Sequence, residues 1–383
     1  MSFQISKKSW AFAFAYLSMF ALGVSDNARG PLFSDLLTYF KLSNWQGSFS
    51  FAVASAAGLI GNISSALLFK KFNLADTLSG ALVVMAAGLL LMALSADFSI
   101  YILGAVFFGY SMGLMGVTQT LMINESVEAA QQSKAMSGMH SVYGLSSLIA
   151  PLLAAQAAQI FGPWQSAFFV VSGIAFFVAL SSVALKAKPN FVVHEVLKDP
   201  SQAKSSTVAL FLMGGIFAFY VVAEILVSSR LALYMRTYFG MDLKDSSQYV
   251  SYFFVFLLIG RLIFALKAFR FSLRRQLNIS LVLSLIFLIL GLQLHPFFLV
   301  LTGLTMAPFY PLSITYISER TGIRKRQFLT FAISFQSVCV ISMHMGVGYL
   351  TDQFGLFYAF GVGIISLLLA VICVNFHPRV YSA

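Results

Sequence analysis

The stretch Ala21-Leu22-Gly23-Val24-Ser25-Asp26-Asn27-Ala28-Arg29-Gly30-Pro31-Leu32-Phe33 places an acid, an amide, a guanidinium and a proline inside a long apolar run. The run from Trp10 to about Thr38 is long enough to cross a bilayer, whose hydrocarbon core of roughly 30 Å needs about 20 helical residues. Asp26 and Arg29 would then lie near the middle of the membrane, where each charge costs at least ~2.5 kcal/mol and normally faces a partner or a watery cavity. These two residues are therefore the first candidates for function.

The composition is that of a helical membrane protein. Of the 383 residues, 59% are hydrophobic and only 10% are charged, whereas soluble domains carry about 25% charged residues. The apolar runs lack the alternation of barrel strands, so helices must satisfy the backbone hydrogen bonds. The first run is too long for the core of a signal peptide, and we expect it to be a retained span. Cys339 and Cys373 lie in apolar runs, so no disulfide framework is expected.

Breaks in hydropathy divide the chain into twelve predicted spans, at about 10–38, 44–69, 74–96, 98–124, 135–160, 164–186, 207–236, 246–268, 273–293, 296–318, 327–351 and 355–376. Eighteen of the 24 Lys and Arg residues fall in the termini and connections of one side, three on the other side and three inside spans. The positive-inside rule then predicts that both termini are cytoplasmic. The net charge of +11 therefore reports orientation and does not indicate nucleic-acid binding.

The longest polar break separates six spans from six. It predicts an N-terminal six-helix bundle at 1–186, a cytoplasmic linker at 187–206 and a C-terminal six-helix bundle at 207–383. The halves also repeat, because a shift of 199 residues superimposes Thr38-Tyr39-Phe40 on Thr237-Tyr238-Phe239 and Gly61 on Gly260 without a gap. Parallel repeats of this kind are typical of secondary transporters that bind their substrate near the bilayer midplane.

Two acids inside spans, Asp26 and Glu224, are candidates for coupling transport to protons, and each lies in a span that also contains an arginine. Asp26 and Arg29 are three residues apart, so they share a helix face and can pair, and Pro31 should kink the helix beside them. Glu224 and Arg230 lie at almost the same depth in the seventh span. A carboxylate in a cavity of changing hydration can load and release a proton. The alternatives are an internal ion pair that only locks the first helix to a neighbour and, for Glu224, a structural hydrogen bond.

Several further polar side chains are candidates for substrate binding. Gln119 and Asn124 can both donate and accept hydrogen bonds, as a polyol requires, and the histidines can either titrate or form interhelical hydrogen bonds. The predicted substrate-binding residues are Asn27, Arg29, Gln119, Asn124, His140, Tyr143, Tyr220, Arg230, Gln336 and His344. Arg261 is expected to be structural, with its guanidinium reaching outward from the eighth span.

The motifs of several enzyme classes are missing from the sequence. It contains no phosphate-binding P-loop, no metal-ligand cluster of useful spacing and no His and Asp flanking a nucleophile. We therefore expect no enzyme activity, no metal and no cofactor, with a proton gradient as the energy source.

The polar residues resemble those of the major facilitator superfamily, and within it the fucose-galactose-glucose:proton symporter group. The matching stretches are Asp26-Asn27, Asn124, His140-Ser-Val-Tyr-Gly144, Ala150-Pro151, Tyr220-Val-Val-Ala-Glu224, Gly260-Arg261-Leu262, Ala307-Pro-Phe-Tyr-Pro311 and Gly348-Tyr-Leu-Thr-Asp352-Gln-Phe-Gly355. The resemblance implies an all-α membrane protein with twelve transmembrane helices in two pseudo-symmetric six-helix bundles. It also implies that Asp26 is protonated during symport and that a second central carboxylate, Glu224, helps to bind substrate.

The chain departs from this pattern in two places. The loop Leu68-Phe-Lys-Lys-Phe-Asn73 lacks the Asp-Arg-x-Gly run that is usual in the superfamily. Arg29 is also absent from the sugar symporter pattern, and its charge would suit either an anionic substrate or a role as the counter-ion of Asp26.

The predicted function is a proton-coupled secondary active transporter, working by alternating access, for a small polar solute such as a sugar. A proton-driven exporter of amphipathic or drug-like molecules stays open because the spans are rich in Phe and Met, and a non-transporting membrane sensor is a third alternative. We expect a multi-pass monomer in the plasma membrane, in bacteria the inner membrane. Its partners would be the small-molecule substrate and the lipid bilayer, without nucleic acid.

Overall fold

The computed structural model describes residues 7–182, 206–266 and 270–377, which are almost entirely helical. Contacts divide these residues into two compact units: unit 1 contains 7–35 and 53–182, and unit 2 contains 36–52, 206–266 and 270–377. The predicted linker at 187–206 lies outside the described residues except for Ser206. The predicted boundaries of the two bundles stay predictions, but the contacts group residues 36–52 with the C-terminal half of the chain.

Fifteen α-helices follow one another along the described chain, with a short 3-10 helix at Gly322–Arg324. Up to the predicted linker they are α1 (Lys7–Asn27), α2 (Phe33–Phe40), α3 (Asn44–Leu68), α4 (Leu74–Leu94), α5 (Phe98–Ser126), α6 (Ala129–Phe161) and α7 (Ser166–Ser181). Beyond it they are α8 (Thr207–Phe239), α9 (Leu243–Leu266), α10 (Leu273–Gln293), α11 (Phe297–Met306), α12 (Phe309–Thr321), α13 (Lys325–Phe354), α14 (Leu356–Ala359) and α15 (Gly361–Phe376). Within the described ranges ten segments are long and apolar enough to cross a membrane, and α7 is a shorter apolar helix. Together with α1 they correspond to the twelve predicted spans.

Two of the predicted spans are interrupted at a proline. The first consists of α1 and α2, joined by turns at 28–32 that contain Pro31. The tenth consists of α11 and α12, which meet at Ala307 and Pro308. Proline lacks the N–H that would continue the helix and crowds the carbonyl one turn earlier. The prediction of one kinked helix at 10–38 is therefore wrong, because α1 ends at Asn27 and a new helix begins at Phe33.

In each unit a glycine allows one pair of helices to pack closely, and the two pairs correspond to each other. In unit 1, a Cβ on Gly109 of α5 would lie 2.0 Å from the carbonyl oxygen of Ala54 of α3. In unit 2, a Cβ on Gly303 of α11 would lie 2.3 Å from the carbonyl oxygen of Phe253 of α9. Small residues of this kind allow membrane helices to approach closely. Ala54 and Phe253 are related by the shift of 199 residues, so the sequence repeat extends to helix packing.

The first turn of α3 is capped from within unit 2. The carboxylate of Asp352, in the last turn of α13, accepts hydrogen bonds from the backbone N–H groups of Asn44 and Trp45, each at 2.8 Å, and from Asn44 Nδ2 at 3.0 Å. An acid at this position satisfies N–H groups that the helix itself leaves without partners. The cap holds the beginning of α3 against the end of α13.

Candidate functional site

The charged pair of the first predicted span forms in unit 1, at the break between α1 and α2. Arg29 Nη2 donates to Asp26 Oδ1 at 2.5 Å, and the two side chains are 9% and 24% exposed. The guanidinium also lies 4.5 Å from the ring centroid of Phe108 of α5, a cation–π contact that contributes ~0.5–2 kcal/mol. The predicted pairing of Asp26 with Arg29 is therefore present in the structure.

Tyr143 of α6 binds the second oxygen of the same carboxylate. Its hydroxyl donates to Asp26 Oδ2 at 2.9 Å and accepts from Asn27 Nδ2 at 3.3 Å. Asn27 Nδ2 also donates to Ser147 Oγ at 2.9 Å. Both oxygens of Asp26 thus accept hydrogen bonds, which suits an ionised carboxylate because that form has acceptors and no donor. Four predicted site residues, Asp26, Asn27, Arg29 and Tyr143, form one cluster, which we call the Asp26 cluster.

The other predicted residues of unit 1 have different surroundings. Gln119 is fully buried and its Nε2 donates to Ser18 Oγ of α1 at 2.9 Å, so in this structure it joins α5 to α1. Asn124 is half-buried, and its backbone carbonyl accepts from Gln132 Nε2 at 3.0 Å. His140 is exposed and lies one turn before Tyr143 on α6. Roles of these three residues in substrate binding stay predictions.

A second carboxylate is held by a tyrosine in unit 2. The hydroxyl of Tyr220 makes hydrogen bonds with the carboxylate of Glu224, one turn later on α8, and with the carbonyl oxygen of Met306 at 2.9 Å. Tyr220 is 1% exposed and its ring stacks on Phe309, with 4.4 Å between centroids. Glu224 itself is half-buried. We call Tyr220, Glu224 and their polar neighbours the Glu224 cluster.

Arg261 and Tyr310 belong to the Glu224 cluster. Both interact electrostatically with Tyr220, and Tyr310 also interacts with Arg261 and Glu224. The sequence analysis assigned Arg261 a structural role, because an arginine near a helix end can reach outward. One signal in the sequence could have placed Arg261 in the cluster. Gly260, directly before it, is a small residue that allows α9 to pack closely against Ala307, at the start of the Ala307-Pro-Phe-Tyr-Pro311 stretch that contains Tyr310.

Arg230, the other charged residue predicted inside the seventh span, contacts α3. It is 1% exposed, its Nη2 donates to Ser48 Oγ at 2.8 Å, and its guanidinium lies 5.1 Å from the ring centroid of Phe51. Six residues separate it from Glu224, which is ~9 Å along a helix and a different face. In the structure Arg230 secures the beginning of α3, and its predicted role in substrate binding stays a prediction.

The last two predicted residues lie on α13. His344 is 3% exposed and stacks on Phe51 with 5.1 Å between ring centroids, whereas Gln336 is half-buried. His344 therefore packs with Arg230 around the same phenylalanine. Among the described residues, no group of three or more His, Cys, Asp or Glu could hold a metal ion, and the prediction that the protein needs none stays untested.

The fold and the two clusters define a class of protein. Twelve apolar segments with a helix break beside a half-buried acid, and with parallel repeats in the chain, are features of secondary membrane transporters. The model of the Major Facilitator Superfamily matches residues 15–339, and the chain belongs to this superfamily of transporters.

Two kinds of relatives agree with this assignment. The chain is 24% identical over 333 residues to the glucose/mannose transporter GlcP of Bacillus subtilis (strain 168), which covers 80% of this chain and 79% of that protein. A bacterial homologue of the human lysosomal transporter Spinster superimposes with a TM-score of 0.79 at 13% identity, covering 99% and 98% of the two chains. The transporter FucP superimposes with a TM-score of 0.64 at 15% identity, covering 98% and 100%. These similarities confirm the predicted all-α membrane fold of the major facilitator type.

Proposed function

We propose that this transporter moves a small polar, sugar-like solute and couples its movement to protons by alternating access. The observation that carries the proposal is the Asp26 cluster, a half-buried carboxylate at a helix break that accepts from both Arg29 and Tyr143. The similarity to a glucose/mannose transporter supports the substrate class. The amide of Asn27 and the hydroxyls of Tyr143 and Ser147 offer the donors and acceptors that a sugar requires.

A proton on Asp26 would change this cluster directly. Protonation removes the charge that Arg29 pairs with and places a proton on one of the two oxygens, so that the hydrogen bonds from Arg29 and Tyr143 are weakened and the weaker of them can be lost. Asp26 lies on α1, Arg29 in the turns that follow it, and Tyr143 on α6. Loss of these bonds would therefore loosen both the helix break and the contact between α1 and α6, which is how proton binding could bias a conformational change.

The Glu224 cluster supports a second proton site. A tyrosine hydroxyl has one proton to donate, yet Tyr220 lies within hydrogen-bond distance of two acceptors, the carboxylate of Glu224 and the carbonyl of Met306. Both hydrogen bonds can form together when Tyr220 donates to the carbonyl and a protonated Glu224 donates to the hydroxyl. The Glu224 cluster thus contains a second carboxylate whose hydrogen bonds would change with its protonation.

The position of Arg29 favours a neutral solute. Its guanidinium is 9% exposed, pairs with Asp26 and stacks on Phe108. An anionic substrate would have to compete with the carboxylate that already occupies this charge. We therefore assign Arg29 the role of counter-ion, one of the two alternatives that the sequence leaves open.

The test is transport by purified protein in liposomes. Wild-type protein should accumulate labelled glucose or mannose under an inward proton gradient, and Asp26→Asn should lose this accumulation while keeping sugar counterflow, which needs no net proton movement. Asp97→Asn is the matched control, because Asp97 caps α5 through Ser99 and Ile100 and asparagine caps about as well. Uphill uptake by Asp26→Asn at the wild-type level would remove Asp26 from coupling. Absence of counterflow in wild type with any hexose would refute the substrate class.

We also propose the orientation and location. The excess of Lys and Arg on one side supports cytoplasmic termini, and the Bacillus subtilis relative supports a bacterial plasma membrane.

A further inference from the structure

A groove lies at the beginning of α10 in unit 2, and its lining is separate from the residues considered for transport. It has a volume of about 460 Å³, and its polar part is formed by Ser272, Arg274, Arg275 and Asn278. This volume falls in the range of about 300–1,000 Å³ that is usual for small-molecule sites. The distribution of charge places this end of α10 on the predicted cytoplasmic side.

Contacts with neighbouring side chains fix both arginines. Arg274 Nε and Nη2 donate to Asn375 Oδ1 at 3.2 and 3.0 Å, and Nη2 also donates to the Asn375 carbonyl at 2.9 Å. Asn375 lies at the end of α15, and its amide donates to Asn278 Oδ1 at 2.8 Å. The Arg275 guanidinium lies 4.5 Å from the ring centroid of Phe271. A guanidinium carries five N–H donors, so Arg274 can be held by Asn375 and still donate to an anion.

The rest of the groove is apolar and exposed. Ile279, Val282 and Leu283 complete the lining and are 40%, 43% and 40% exposed. Their spacing of three and four residues puts them on one face of α10, which is long and apolar enough to cross a bilayer. Val282 lies seven residues after Arg275, or ~10 Å along the helix axis. Two charges and an apolar wall therefore follow each other along the membrane normal.

Positive charges followed by an apolar surface complement an anionic glycerophospholipid, which has a phosphate followed by acyl chains. Its phosphate can accept hydrogen bonds from guanidinium groups in a two-pronged geometry, and its acyl chains can cover the apolar wall. Among the described residues the lining contains two arginines and no acid, so the cationic group of a zwitterionic lipid would find no counter-charge there. A free phosphate ion would leave the apolar wall uncovered. Basic pockets on the cytoplasmic side of membrane helices recognise anionic head groups in this way.

The geometry points to a binding site for an anionic glycerophospholipid on α10, with the phosphate on Arg274 and Arg275 and an acyl chain along Ile279, Val282 and Leu283. The inference is independent of which solute the transporter carries. It requires only that α10 spans the membrane.

Native mass spectrometry of the purified full-length protein, titrated with phosphatidylglycerol or phosphatidylcholine, tests the site. Wild type should bind phosphatidylglycerol more tightly than phosphatidylcholine. The double variant Arg274→Gln/Arg275→Gln should lose about 10- to 30-fold in affinity for phosphatidylglycerol, as expected for two charges near a lipid phosphate. The matched control is Lys70→Gln/Lys71→Gln, which removes two exposed charges on the same predicted side and should change the affinity less than about twofold.

A second variant separates the apolar wall from the charges. Val282→Trp keeps both arginines but fills the groove, so it should also lower the affinity for phosphatidylglycerol. Circular dichroism should show that Val282→Trp and the double arginine variant are both folded. Inorganic phosphate at the same concentrations should not displace the lipid. Equal binding of the two lipids by wild type, equal losses in the arginine and lysine pairs, unchanged binding by Val282→Trp, or displacement by inorganic phosphate would each overturn the assignment.

Discussion

At the residue scale, Tyr143 is what distinguishes the Asp26 cluster from an isolated ion pair. Asp26 and Arg29 are three residues apart in one segment, so their contact by itself connects no two helices. Tyr143 comes from α6, donates to Asp26 at 2.9 Å and accepts from Asn27 at 3.3 Å. A change of charge at Asp26 therefore alters a hydrogen bond to a second helix, α6. The contact fits both alternatives that the sequence leaves open, a coupling site and a lock between the first helix and a neighbour.

The variant Tyr143→Phe removes this hydroxyl and keeps the ring. We expect proton-driven uptake to fall about tenfold or more, because a hydrogen bond to a charged group contributes ~1.5–3 kcal/mol. Initial rates in liposomes under a fixed proton gradient measure the effect. Tyr110→Phe is the control, because it removes a tyrosine hydroxyl that accepts from Ser64 Oγ at 3.1 Å. Uptake by Tyr143→Phe within about twofold of that control would show that the contact with Asp26 is dispensable.

Single residues were predictable where their partners are close in sequence. A helical spacing of three predicts that Asp26 and Arg29 pair, and they do, although Arg29 lies in the turn after α1. Arg230 could not be placed in this way, because its partners Ser48 and Phe51 are about 180 residues away in the chain. The same reason explains Arg261, whose neighbours depend on which face of α9 meets α8 and α12. No sequence spacing carries that information.

At the scale of helices, close packing depends on glycines at a few positions. Gly109 is such a position, because the carbonyl of Ala54 occupies the place of its missing side chain. Gly116 lies two turns later on the same helix, and a Cβ there would meet nothing within 4 Å. Substitution of Gly109 therefore tests the close approach of two helices, whereas substitution of Gly116 tests only the intrinsic cost of a glycine in a helix.

We expect Gly109→Ala to destabilise the protein and Gly116→Ala to leave it unchanged or slightly more stable. The new methyl group at residue 109 must push α3 away from α5, and such overpacking costs ~1–3 kcal/mol. At residue 116 the gain in helix propensity is at most ~1 kcal/mol. Thermal unfolding in detergent, followed by far-UV circular dichroism, compares the two variants with wild type. Equal melting temperatures for all three proteins would contradict the packing argument.

Helix positions were more predictable than helix interruptions. Length and hydropathy place most of the twelve segments, because crossing a bilayer demands about 20 apolar residues. They cannot distinguish a kink from a break at Pro31 or Pro308, since both satisfy the same hydropathy. The break at Pro31 matters most, because it puts Arg29 in a turn and lets the side chain fold back onto Asp26.

At the scale of the whole molecule, each unit contains one carboxylate tied to a tyrosine. Asp26 accepts from Tyr143 in unit 1, and Glu224 pairs with Tyr220 in unit 2. The repeat of 199 residues does not align these acids, since Asp26 corresponds to Ile225. The two carboxylates are therefore offset by one position in the repeat. Their surroundings also differ, because Asp26 pairs with Arg29 of its own segment, whereas Tyr220, the partner of Glu224, interacts with Arg261 of α9.

The last prediction concerns how the two carboxylates act together. If both take part in one proton-coupled cycle, Asp26→Asn and Glu224→Gln should each lower proton-driven accumulation about tenfold or more. The double variant should then accumulate sugar to within about twofold of the less active single variant, because the effects of residues that act as a unit are not additive. Proton uptake per sugar, measured with an internal pH indicator, should fall in all three variants. Glu319→Gln, which neutralises an exposed acid of α12, should behave as wild type. If the loss in the double variant equals the product of the two single losses, the acids act in separate steps. A normal proton-to-sugar ratio in Glu224→Gln would mean that Asp26 couples transport to protons without Glu224.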